Sequence, residues 1–155
     1  MNEQHELRKH VLELLAGKSA HIDIESGVKD FPADRINTRP ENSPHSAWDL
    51  LEHLRLAQWD ILEFSRNPKH VSPEFPGGYW PKIKGTTESW TSSLSQILSD
   101  LQTMRDLVAD GSTDLLAPFP HGQGQTLLRE ALLIVDHNAY HLGQIVFIKK
   151  IFLDE

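Results

Sequence analysis

An all-α fold, four long helices in one bundle, is what this chain of 155 residues predicts, and three observations predict it. Apolar residues recur at i, i+3, i+4 and i+7 in four separate windows, the pattern of helices that bury one stripe. Between the windows lie segments dense in proline and glycine that no helix survives. No strand alternation, internal repeat or low-complexity tract competes with this reading.

The first helix spans about residues 3 to 17, where Leu7, Val11, Leu14 and Leu15 fall at i, i+4, i+7 and i+8 and Gly17 supplies the stop. A short further helix is expected within Ile22 to Asp30, ended by Phe31-Pro32. Ile36 to Pro44 reads as a loop, running into Ser43-Pro44 as N-cap and first helical residue of the second long helix. That helix carries Ala47, Leu50, Leu54, Ala57, Ile61 and Phe64 at bundle-seam spacing and stops before Asn67-Pro68.

From Asn67 to Gly85 the chain holds Pro68, Pro73, Pro76, Gly77, Gly78 and Pro81, together with Phe75, Tyr79 and Trp80. Aromatic residues in a breaker-rich segment predict a crossover or lid packed onto the helices. The third long helix starts near Thr86 or Thr87, carries Trp90, Leu94, Ile97, Leu98, Leu101, Met104, Leu107 and Val108, and ends at Gly111. A second loop covers residues 111 to 125, and the fourth helix runs from about Thr126 to Phe152, some 40 Å.

Composition narrows the function. One domain, residues 1–155, is the simplest division of a chain this long. A net charge of −7 without a lysine or arginine cluster argues against nucleic acid as a partner. With no cysteine in the chain, disulfides are excluded and any metal must be held by histidine, carboxylate or water, which accords with a reducing cytoplasm. The polar, mixed-charge start, Met1 to Arg8, has no signal-peptide core. No apolar run approaches the ~20 residues that cross a bilayer, so no membrane partner is expected.

Chemistry concentrates on the fourth helix. His137 and His141 are four apart, so they share one helix face roughly 6 Å from each other, suited to two imidazoles on one ion. Leu127, Glu130, Ile134, Gln144 and Ile148 lie on the same stripe, which faces the pair inward. His53, between Leu50 and Ala57, borders the seam of the second helix near its middle. Mid-helix residues on facing helices meet at one depth whether the helices are parallel or antiparallel. Three histidines would leave a further position for water or substrate; the alternative at this stage is three inward imidazoles satisfied by backbone or carboxylate partners.

Two familiar chemistries are excluded. A zincin needs His-Glu-x-x-His with glutamate as base, and here the second position is Asn138. A ferritin-like di-iron site needs paired Glu-x-x-His motifs that the chain lacks. Asp49, one turn before His53, and Glu130, two turns before His137, are the carboxylates that could orient an imidazole or act as a catalytic base. Gln144 and Tyr140 are weaker candidates, His45 and His121 could line a mouth, and His5, His10, His21 and His70 read as solvated. A three-histidine site accepts Zn²⁺, Ni²⁺, Fe²⁺ and others.

Three blocks, Trp48-Asp49-Leu50-Leu51-Glu52-His53-Leu54, Ser72-Pro73-Glu74-Phe75-Pro76-Gly77-Gly78-Tyr79-Trp80-Pro81 and Asp136-His137-Asn138-Ala139-Tyr140-His141-Leu142-Gly143-Gln144, resemble the DinB-like (YfiT-like) superfamily in their order along the chain. The resemblance implies a four-helix bundle, often dimeric, with a long crossover between its second and third helices. It also implies a divalent metal on three histidines, which map onto His53, His137 and His141. Characterised relatives include low-molecular-weight thiol S-transferases and a thiol-dependent maleylpyruvate isomerase, and many others are described only as metal-dependent hydrolases. The expectation is therefore a metal-dependent enzyme acting on a small molecule, with a thiol cosubstrate whose acidic groups would meet Arg39, Arg55, Lys82 or Lys84. Hydrolysis by metal-activated water and a non-catalytic, metal-binding or dimerising bundle are the alternatives.

Overall fold

The computed structural model describes residues 3–17 and 19–154. Among them lie five helices and no strand: α1 Glu3–Leu15, α2 Ile24–Val28, α3 Ala47–Arg66, α4 Thr87–Ala109 and α5 Leu127–Asp154. No helix there is long and apolar enough to cross a membrane.

Helix ends are set by side chains that satisfy the terminal N–H groups. Asp23 caps α2 by accepting the Ser26 N–H, and Asp30 beyond it turns left-handed at φ 57°. This trims the expected 22–30 helix to five residues. α3 begins at Ala47 instead of Pro44, because Ser46 accepts the Asp49 N–H while the Asp49 carboxylate accepts the Ser46 N–H. That reciprocal box satisfies two donors and puts a negative charge in the first turn; Ser43 is left to donate to the His45 carbonyl. Thr86 and Ser89 form the equivalent box at α4.

Apolar stripes from these helices merge into two neighbouring cores. In one, Trp48, Leu51 and Leu54 of α3 meet Ile97 of α4, Leu142, Ile145 and Ile148 of α5, and Ile24 and Val28 of α2. In the other, Leu62 of α3 meets Met104 and Val108 of α4, Leu127, Ala131 and Ile134 of α5, and Val11 and Leu15 of α1. The first core joins the early parts of α3 and α4 to the late part of α5, so α3 and α4 run the same way and α5 runs against them. Arg8 of α1, only 9% exposed, ties its guanidinium to the carbonyls of Val108 in the last turn of α4 and of Thr113 beyond its end.

Parallel α3 and α4 require residues 67–86 to return along the length of α3, about 30 Å for 20 residues. The returning chain is pinned where it passes: Tyr79 O accepts from His53, Ile83 O from the Trp48 indole, and Gly85 exchanges two hydrogen bonds with the Asn37 amide. Gly85 lies flat on Trp48, and a Cβ there would stand 2.4 Å from Cδ2 of the indole. Because the indole is buried and held by Ile83, Gly85→Ala is expected to cost about 1–2 kcal/mol. Equal urea midpoints for wild type and variant would show that Trp48 moves aside freely.

Candidate metal centre

His53 comes from the second turn of α3, and His137 and His141 from successive turns of α5. Antiparallel packing brings them together: His53 Nε2 is 3.0 Å from His137 Nε2, and ring centroids lie 4.6 Å apart for His53–His141 and His137–His141. One nitrogen from each ring can be chosen so that all three lie within 4.8 Å of one another. His141 is only 9% exposed.

Two rings have fixed tautomers. A backbone carbonyl only accepts, so His53 Nδ1–H must donate to Tyr79 O at 2.8 Å, which leaves the Nε2 lone pair facing the centre. His141 Nδ1–H donates to Gln144 Oε1 at 2.7 Å, which leaves Nε2 as the bare nitrogen of that ring. His137 has no such anchor, and its Nδ1 is buried without a partner. Two Nε2 atoms opposed at 3.0 Å, one of them already a bare lone pair, call for a proton or a cation between them. A cation fits: the separation is within the span of two zinc–nitrogen bonds of about 2.0–2.1 Å, and three neutral imidazoles are a recognised donor set.

Electrostatics keep the rings neutral. Burial, reinforced by the His141 and His53 charges, lowers the His137 pKa from 6.5 to about 4. Burial also lowers His53, against the opposing bond to Tyr79, and lowers His141 against its bond to Gln144. Metal binding needs this deprotonated form near pH 7. It also makes the metal-free fold acid-sensitive: between pH 6.5 and about 4 the unfolded chain holds more protons than the folded one at His137. Stability is therefore complete above about 6.5 and falls as pH drops towards 4. Thermal melts of metal-free protein from pH 7.5 to 4.5 should show a falling Tm, and a larger fall in wild type than in His137→Leu; identical slopes would count against it.

An aromatic wall closes one side. Trp80 stacks on His53 at 4.1 Å and 6°, and His45 stacks at 4.1 Å and 11° on Trp80. Behind it Tyr79 donates its hydroxyl to Asp60 Oδ2 at 2.7 Å, and His70 Nε2 lies 2.6 Å from Asp60 Oδ1. Burial, with Asp60 adding to it, pushes the Tyr79 phenol up to about 12. His70 is thus enclosed, not solvated as its loop position suggested, because the returning chain folds it against Trp59.

The carboxylates expected at the site are engaged elsewhere. Asp49 Oδ2 accepts the Ser46 N–H and lies 3.0 Å from Arg39 Nη2. Glu130, 3% exposed, pairs with Arg129. No hydrogen bond joins either to the three imidazoles; Tyr79 O and Gln144 orient the rings instead. Gln144 was legible from its i+3 spacing to His141, whereas a carbonyl donated by a distant loop leaves no sequence signal. His121 bonds to Phe64 O at the far end of α3 and does not reach the mouth. Tyr140 packs edge-on against His141 but is 65% exposed.

One further pair escaped the sequence reading. Asn138 Nδ2 donates to Gln58 Oε1 at 2.7 Å, and Gln58 Nε2 donates to Ile97 O at 2.8 Å, a buried polar chain through α5, α3 and α4 beside the histidines.

Fold and site together define a class: a helical protein whose antiparallel α3 and α5 converge three imidazoles able to hold a metal ion. The chain belongs to the DinB superfamily, whose family model matches residues 22–145 and so includes all three histidines. No curated protein and no solved structure matches it.

Proposed function

We propose that the protein is a metal-dependent enzyme that transfers a low-molecular-weight thiol to a small electrophile, with His53, His137 and His141 holding a divalent ion such as Zn²⁺, Ni²⁺ or Fe²⁺. The observation that carries the reading is the convergence of three imidazoles, one nitrogen of each within 4.8 Å of the others, with His53 and His141 oriented by Tyr79 O and Gln144. When bound, such an ion acts as a Lewis acid that holds a thiol as its nucleophilic thiolate near neutral pH. In this reading the four long helices are the family's bundle, residues 67–86 its crossover and the whole chain one domain, dimeric and cytoplasmic.

The chain's own residues supply the rest. Arg39, Lys82 and Lys84 line one cavity of about 290 Å³ with Asp49, Trp48 and Pro81. Of the four cations expected to receive an acidic thiol, Arg39 is paired there with Asp49 and Arg55 is taken by Glu52, which leaves Lys82 and Lys84 for the role. In this reading the thiol proton passes to solvent while the sulfur forms the S–C bond and the leaving group departs with its electron pair; Asp49, expected as a base, is held by the Ser46 N–H and Arg39 and steadies that wall instead. Glu130 is occupied by Arg129 two turns from His137, and the reading gives it no proton to move. Trp80 shields the His53 ring from water.

Metal analysis of untagged protein comes first, followed by bacillithiol, mycothiol, glutathione or coenzyme A with monochlorobimane as electrophile. Acceleration that disappears in His53→Ala is expected with at least one thiol. None with any of them would sink thiol transfer, and metal-dependent cleavage of p-nitrophenyl acetate in the same protein would favour hydrolysis by metal-activated water. Stoichiometric metal with neither activity would favour the non-catalytic bundle.

A further inference from the structure

Asp60 follows His53 by seven residues on α3, two helical turns or about 10.5 Å along the same stripe. Tyr79 of the returning segment touches both. Its carbonyl accepts the His53 Nδ1–H at 2.8 Å and its hydroxyl donates to Asp60 Oδ2 at 2.7 Å, so the tyrosine lies along α3 as a strut between the two residues. Trp80, next in the chain, stacks on the same imidazole at 4.1 Å. One short piece of backbone therefore meets the His53 ring by an edge and by a face.

The bonds within that piece do not set its position. The Tyr79 N–H bonds to Pro76 O and the Gly78 N–H to Glu74 O, which shapes the Gly77–Tyr79 turn without deciding where along α3 it rests. Asp60 supplies the reference point. A carboxylate only accepts, so Oδ1 takes the His70 Nε2–H at 2.6 Å while Oδ2 takes the Tyr79 hydroxyl, and both ends of the 70–79 loop are tied to one side chain. Ser72, inside that loop, adds a hydrogen bond to the phenol oxygen. The Asp60 and His70 side chains are 13% and 7% exposed, and a charge-assisted hydrogen bond is stronger there than in water. The other ties of the returning chain, Ile83 O to Trp48 and Gly85 to Asn37, lie downstream of Tyr79.

We propose that Asp60 is a positioning residue for the three-histidine centre: by holding the Tyr79 hydroxyl, with His70 as a second tether, it aims the Tyr79 carbonyl at His53 and keeps the His53 proton on Nδ1. The inference rests on His53 being a metal ligand through Nε2. Without the strut the ring is free to carry its proton on Nε2, and that nitrogen can then no longer bind an ion. The chain from His70 through Asp60 and Tyr79 to His53 moves no proton to or from the centre, because its last link is a backbone carbonyl with no proton to give.

Long-range ¹H–¹⁵N spectra of the histidine rings in metal-free protein read the tautomer directly. Wild type should show His53 protonated at Nδ1 and bare at Nε2, whereas Asp60→Ala and Tyr79→Phe should show a mixture. Asp60→Asn should restore the wild-type spectrum, since its amide oxygen still accepts from Tyr79 and its amide N–H can donate to His70 in the other tautomer. Competition with a chromophoric chelator then gives the Zn²⁺ affinity, expected to fall about tenfold in Asp60→Ala and in Tyr79→Phe, the low end for a group that orients a metal ligand. The double variant should bind no more weakly than the weaker single, because both changes remove one hydrogen bond. Should Asp60→Ala fail to fold, Tyr79→Phe and Asp60→Asn decide alone. A wild-type tautomer and unchanged Zn²⁺ affinity in Asp60→Ala and Tyr79→Phe, even with a lower Tm, overturns the proposal and leaves Asp60 a tie for the loop. Wild type that takes up no Zn²⁺ sinks the metal reading instead, and the tautomers alone then decide whether Asp60 aims His53.

Discussion

Replacing His137 with alanine is expected to reduce bound divalent metal from one ion per chain to less than a tenth of that, while the helical circular dichroism is kept. Removing a residue that merely supports a ligand costs 10- to 100-fold in metal affinity, so removing a ligand should cost more. The fold should tolerate the change, because His137 contributes little to folding without metal: its Nδ1 is buried without a partner and its Nε2 faces another ring nitrogen at 3.0 Å. Elemental analysis and a zinc titration give the metal result, and a thermal melt gives the other. Undiminished stoichiometry would remove His137 from the ligand set. Global unfolding would mean that the three imidazoles are core residues first.

The second large effect is on stability. Gln58→Leu conserves much of the volume at a fully buried position but strands the Asn138 amide, which would then have neither a donor nor an acceptor in reach. Ile97 O is less affected, since its other lone pair serves the α4 ladder. Burying an unmet primary amide costs about 2–3 kcal/mol, a Tm lower by roughly 4–12 °C for a chain of this size. The double variant Gln58→Leu with Asn138→Leu should recover part of the loss, because apolar partners of similar shape leave nothing unpaired. A double variant no better than the sum of the two singles would mean that the two amides are not energetically coupled.

Much of the helical layout is written in local spacing. Leu50, Leu54, Ala57 and Ile61 recur at the period of a helix that buries one stripe, and that period survives whatever the stripe is packed against. Helix starts are less legible, since Ser43-Pro44 and Ser46 are both plausible caps. The choice fell to Ser46 because Asp49 reaches back to its N–H. The same engagement, with Arg39 beside it, takes Asp49 away from His53, so a carboxylate that helical offset places beside a ligand serves the helix end.

The sequence by itself determined that the chain is helical, that residues 67–85 cannot be helix, and that His137 and His141 share a face, because propensity, chain breakers and a four-residue spacing act within one or two turns. Only the tertiary structure decided what meets that face. Antiparallel α3 and α5 bring His53 Nε2 to His137, and the returning segment supplies the Tyr79 carbonyl that fixes the His53 proton. The Gln58–Asn138 chain depends likewise on helices far apart in sequence. Hydrogen bonds between distant backbone and side-chain atoms depend on the direction and register of packed helices, and neither is written in any one helix's own period.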